Sequence, residues 1–185
     1  MKISFIISAL VAVFFSVNQS KATPPSPFID TGACPFECCK YREWVAKKDI
    51  QLKDKVDGQI VVGKIISGEK VKALTGEVHT IPNVVETLRD HGKFKKGDLF
   101  YLLTYQGEGL YKVWFKDSIG SEEILFLEFT KQYDFKNCDP SKLDCWGKIK
   151  NPKRESTWWV KLEKSDGKTG WTSQSKEFLG QDSCS

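Results

Sequence analysis

The sequence predicts an all-β protein, a small barrel or sandwich closed by disulfides. Three observations predict it. Aromatic residues reach 12% of the 185, including 6 Trp, and such a bias favours strands over helices. Apolar residues fall in short runs separated by turn residues. Six cysteines accompany what reads as an export signal. Hydrophobic content of 40% with mixed charge marks a globular chain, and the length suits one ordinary domain or two very small ones.

Met1 and Lys2 precede an apolar run from Ile3 to Val17, then a polar stretch ending in Ser20-Lys21-Ala22. A positive start, an apolar middle and small residues at the exit describe a cleavable signal, residues 1–22. The run is shorter than the ~20 residues a bilayer needs, so no stable membrane span is expected after cleavage. The mature chain is thus exported, to the periplasm or beyond. Removal of Lys2 and Lys21 leaves 26 basic against 24 acidic residues, a net of +2. The clusters Lys47-Lys48, Lys93-Lys95-Lys96 and Lys148-Lys150-Lys153-Arg154 are interleaved with acids. A solvated mixed-sign surface fits them better than a nucleic-acid site.

Residues 23–33 contain Pro24-Pro25-Ser26-Pro27 and read as an extended, poorly ordered leader. The folded unit, 34–185, opens on Cys34, Cys38 and Cys39 and closes on Cys138, Cys145 and Cys184. Six cysteines allow 15 connectivities, and excluding a bond between neighbours Cys38 and Cys39 leaves 12. Three cysteines at each end force at least one bond across the chain, tying its start to its end.

Strand-like runs follow at Ile50–Lys53, Ile60–Ile66, Lys70–Leu74, Leu99–Tyr105, Leu110–Phe115, Ile124–Phe129 and Trp158–Leu162. Turns fall at Asp57-Gly58, Ser67-Gly68, Lys96-Gly97-Asp98, Gly107-Glu108-Gly109 and Asp166-Gly167. Asn83 to His91 is the best helix candidate, with Val84, Val85 and Leu88 on one face. Alternation puts Tyr111, Val113 and Phe115 opposite Lys112, Trp114 and Lys116, and Trp158, Val160 and Leu162 opposite Trp159, Lys161 and Glu163. Trp114 and Trp159 therefore point away from the core, either open to solvent or covered by another element.

The chain also echoes itself. Gly68-Glu69-Lys70-Val71 matches Gly97-Asp98-Leu99-Phe100, and Tyr111-Lys112-Val113 matches Trp158-Trp159-Val160, each with a turn glycine and a strand to follow. Two copies of one β module are expected. Val62-Gly63-Lys64-Ile65 with Gly68, Val71 and Leu74, and the close Trp158-Trp159-Val160 with Asp166-Gly167-Lys168-Thr169-Gly170-Trp171, resemble the bacterial SH3 (SH3b-type) domain family. The resemblance covers about a third of the mature chain. It implies one or two SH3-like small barrels, nested or intertwined: a first module at 49–79 plus 156–180, and a divergent second at about 94–129. In that second copy Glu122-Glu123-Ile124 replaces the Gly-Trp close. It further implies an exported binding protein for peptidoglycan or peptides.

Chemical readings are weak. Asp144-Cys145-Trp146-Gly147 faintly resembles the nucleophile motif of cell-wall peptidases, yet no histidine follows His91, and a disulfide suits Cys145 better. The N-terminal cysteines could join His79 or His91 on zinc or copper, but an oxidising compartment favours disulfides. Glu77 and His79 lie two residues apart on one face of an extended strand and read as a positioning pair. No catalytic residue, metal or cofactor is assigned. The expected activity is binding of a cell-wall glycopeptide or an extended peptide by stacking on Trp114, Trp159 and Tyr105, with lysines at the rim. The competing classes are an envelope protein-interaction subunit or inhibitor, and a thiol- or metal-dependent enzyme.

Overall fold

A computed structural model describes residues 22–124, 127–129, 135–137, 139, 141–142, 145–150, 152 and 155–184. Among them are fifteen strands, one short 3-10 turn at Ser175–Glu177 and no α-helix. The strands are β1 (Phe28–Thr31), β2 (Glu43–Ala46), β3 (Ile50–Lys53), β4 (Val61–Ile65), β5 (Lys70–Thr80), β6 (Asn83–Thr87), β7 (Leu99–Gly107) and β8 (Leu110–Phe115). Then come β9 (Ser118–Glu123), β10 (Leu127–Phe129), β11 (Phe135–Asn137), β12 (Gly147–Ile149), β13 (Ser156–Glu163), β14 (Thr169–Thr172) and β15 (Phe178–Leu179). The all-β expectation holds. The signal segment up to residue 21 lies outside the described residues.

An eight-stranded sheet runs β15-β2-β5-β13-β14-β3-β4, with β1 also paired to β5. A five-stranded sheet runs β12-β6-β7-β8-β9, and β10 and β11 form a hairpin. The first sheet curls over a core of Trp44, Ala46, Ile50, Leu52, Ile65, Val71, Ala73, Val160, Leu162 and Phe178. The second covers Val85, Phe94, Phe100, Leu102, Tyr111, Val113, Phe115, Ile124, Trp146 and Ile149. Alternation selects these faces: Tyr111, Val113 and Phe115 are buried along β8, as are Val160 and Leu162 along β13.

Two elements differ from their sequence reading. The stretch begun at Asn83 is strand β6, not a helix, and alternates Asn83, Val85 and Thr87 inward. Its β-branched Val84, Val85 and Thr87 suit a pleated surface, and β7 and β12 supply partners on both edges. The leader is also not loose. Phe28–Thr31 pairs antiparallel with Thr80–Glu77 of β5, burying Phe28 and Asp30. β5 itself extends six residues past the expected Leu74, because β1 and β13 pair with its second half.

Cys38 is bonded to Cys184, 146 residues away, and Cys34 to Cys39. The first is the bond across the chain that the cysteine count requires. Cys145 is also disulfide-bonded, and Cys138 lies outside the described residues. Next to this knot, Tyr41 Oη donates to the Ala33 carbonyl and accepts from Trp158 Nε1 at 3.1 Å. Burial pushes the Tyr41 phenol above its usual range, with the Trp158 hydrogen bond working against it. Gly76 must be glycine here, since a Cβ would collide with Tyr41 Oη, Trp158 Nε1 and the Trp159 carbonyl.

Candidate functional site

Pairing register brings together residues that the sequence separates by some eighty positions. Trp159 of β13 stands directly opposite Glu77 of β5, and Thr157 opposite His79. On the other edge of β5, Thr31 of β1 stands opposite Glu77, and Ile29 opposite His79. All six side chains share the outer face, because Trp158, Val160, Val78 and Asp30 alternate to the inner one. His79 Nε2 and Glu77 Oε2 are 3.0 Å apart, as the two-residue spacing anticipates. Both are partly shielded, with side chains 13% and 24% exposed. Ile29, Thr31 and Thr157 are exposed around them, and Trp159 is half-buried. The result is a flat aromatic surface beside a fixed carboxylate–imidazole pair.

Trp114 and Tyr105 do not join this face. Trp114 lies on the side of β8 away from the second core, together with Lys112. Lys112 Nζ reaches Asp30 Oδ1 at 2.6 Å, and Asp30 is on the inner face of the first sheet. That ion pair stitches the two sheets together, so Trp114 belongs to the side where they meet and Trp159 to the opposite side. The indole Nε1 of Trp114 is buried without a hydrogen-bond partner, as are Asp30 Oδ2 and Thr104 Oγ1. Tyr105 packs on the second core, its ring centroid 5.0 Å from that of Tyr111.

A second feature of the outer face was not anticipated by the sequence. A shallow depression of about 540 Å³ is lined by Tyr41, Arg42 and Glu43, the first four residues of β5, and Glu163, Lys164 and Ser165. Register places Glu43, Lys72 and Glu163 in one row across β2, β5 and β13. Glu43 is held by Lys70 at 2.8 Å, and Lys164 by Glu69 at 3.5 Å. The Glu43 contact raises the Lys70 ammonium above its usual value.

The other chemical readings find little support. The cysteines of the N-terminal cluster are all bonded, and no described cysteine is free. The Cys38, Asp182 and Cys184 grouping therefore offers no thiolate to a metal. His91 stacks on Trp146, ring centroids 4.1 Å apart, and His79 is engaged by Glu77. Several basic residues have acidic partners: Lys93 with Glu122, Lys95 with Asp90 at 2.9 Å, and Lys150 with Glu86 at 3.5 Å. No helix among the described residues is long and apolar enough to cross a membrane. No family model, curated protein or solved structure matches the chain.

Proposed function

We propose that this chain is an exported, non-catalytic binding module of the SH3-like kind that recognises a cell-wall glycopeptide on the outer face of β1, β5 and β13. The observation that carries the reading is the cross-strand placement of Trp159 beside the Glu77–His79 pair. A pyranose ring offers one apolar face and a rim of hydroxyls. An indole supplies the matching flat surface, and a carboxylate and an imidazole fixed beside it accept and donate to the rim. Disulfides are compatible with an oxidising compartment, where such a polymer is met. Trp114 is enclosed at its polar atom, so the platform is assigned to Trp159 alone.

Co-sedimentation with purified sacculi tests this. Trp159→Ala should lose at least tenfold in affinity, the scale of a buried aromatic anchor, while its melting temperature stays close to wild type. Unchanged sedimentation of the variant would reject the site.

A second reading, a protein-interaction subunit, is favoured by one specific feature. Ile60, Val61, Val62 and Ile66 are 66%, 48%, 41% and 58% exposed around β4, the strand that ends the first sheet. Such an edge can accept an extended segment of another protein. The register irregularity between Leu52 and Lys53, opposite Val62, and the Lys64 charge both oppose open-ended pairing there. Pull-down from an envelope protein extract, set against sacculi, separates the two readings.

A further inference from the structure

We infer that the depression at the β2–β5–β13 end of the outer face is a subsite for a short zwitterionic peptide, one carrying a free ammonium and a free carboxylate. It deepens the proposed function, since it names what the peptide part of a glycopeptide would meet, and so rests on that reading.

Three observations lead there. First, the depression is a concave feature in a face that is otherwise sheet surface, and Trp159 shares that face. Trp159, Lys161 and Glu163 alternate outward along β13, so the indole and the Glu163 carboxylate are four residues apart on one strand, across the register shift at Lys161–Leu162. At ~3.3 Å per residue that is about 13 Å, a span a sugar and a few peptide units can bridge.

Second, charges of both signs line it in a fixed order. The row Glu43–Lys72–Glu163 crosses three hydrogen-bonded strands, which hold its members in register. Arg42 bounds the same depression, its guanidinium anchored on the Gly180 and Asp182 carbonyls at 2.8 and 2.7 Å.

Third, two of these charges have no side-chain partner among the described residues, while Arg42, though without an acidic partner, is taken up by the two backbone carbonyls. Lys70 pairs with Glu43 and Lys164 with Glu69. Among the described residues, Lys72 and Glu163 form no ion pair with each other or with any other group, although they are cross-strand neighbours. With the Arg42 guanidinium occupied by carbonyls, one cation and one anion remain without a side-chain partner, side by side in a concavity, and they match a ligand with one carboxylate and one ammonium. A polyanion or a polycation would satisfy one and be repelled by the other.

The mature protein with its disulfides intact is titrated with free tetra-alanine, which carries one ammonium and one carboxylate, and followed by amide NMR shifts. Shifts are expected at Glu43, Lys70 to Ala73 and Glu163 to Ser165. Acetylating and amidating the peptide ends, or making Lys72→Gln or Glu163→Gln, should each weaken binding about fivefold, the scale of an exposed ion pair. Both substitutions sit on the solvent face, and thermal melts establish that each variant is folded. No shifts at millimolar peptide, or equal binding of the capped peptide and of both variants, would overturn the subsite. A parallel titration with a chitin tetrasaccharide, with and without Trp159→Ala, reads the sugar platform separately. No sugar binding by the wild type, or equal sugar binding by wild type and Trp159→Ala, rejects the platform and leaves the peptide subsite standing.

Discussion

The two cores of this molecule are built in opposite ways. The second draws on β6 to β9 and β12, so most of it comes from one run, 83–124, and its filling is largely aromatic: Phe94, Phe100, Tyr111, Phe115 and Trp146. The first combines β2 to β5 with β13 to β15, so its N- and C-terminal parts meet only after the second has been passed. It is more aliphatic, with Trp44 and Phe178 at one end, and it carries the long-range disulfide Cys38–Cys184. Contacts distant in sequence cost more chain entropy to close than local ones, and a covalent tie lowers that cost in the unfolded chain. The long-range disulfide thus sits in the half whose parts are most distant in sequence. The candidate site, made from β1, β5 and β13, belongs to that same half.

Removing a core anchor should separate the two halves most strongly. Trp44 is fully buried at the junction of Tyr41, Trp158 and Phe178. Trp44→Ala should cost about 3–5 kcal/mol in denaturant unfolding, with the loss concentrated in the first core. Next is the tie itself. Replacing both Cys38 and Cys184 with Ser should cost about 2–5 kcal/mol. Hydrogen exchange should then quicken across β2, β5, β13 and β15 while β7 and β8 stay protected. Equal loss in both halves would show that they unfold as one unit. Gly76→Ala comes third. With three heavy atoms in the space of the new methyl, a cost of about 1–3 kcal/mol is expected from the shift in thermal midpoint.

The smallest effect is that of acid. Lys64 and the Ser67 amide lower the Asp49 carboxyl below its ordinary 3.8, and the Lys96 amide with Lys95 lowers Asp90. A carboxylate lowered in the folded state adds stability above its unfolded pKa and loses it as pH falls through the folded value. Stability should therefore be flat near neutrality and decline as the pH drops below about 3.8. Both groups are fully exposed, so melts in high salt should flatten the decline.

Much of the fold could be read from local pattern. Alternation along β8 and β13 sorts inside from outside, and glycine-bearing turns separate the runs. The odd number of cysteines in the N-terminal cluster requires a long-range bond, although the pairing Cys38–Cys184 follows only from the tertiary structure. Asn83 onward misleads because Val84, Val85 and Leu88 satisfy a helical face in isolation, and only pairing with β7 and β12 settles the strand. Phe28–Thr31 hides behind a proline-rich stretch and becomes a strand because β5 has an edge to offer. Of the site, Trp159 and the Glu77–His79 pair are visible singly, yet their adjacency is a matter of register between strands some eighty residues apart. The depression has no signature at all in the sequence, since its charges come from three strands and a turn. The separation of Trp114 from Trp159 is equally a tertiary fact, fixed by the Lys112–Asp30 pair where the two sheets meet.

The proposed binding surface is the outer face of β1, β5 and β13. Its most direct test is an NMR titration of the intact protein with a soluble cell-wall disaccharide-tetrapeptide. The Trp159 indole N–H and the Glu77 and His79 amides are expected to move together, while the Trp114 indole N–H stays still. Shifts centred on Trp114, or none on the outer face at saturating ligand, would contradict this assignment.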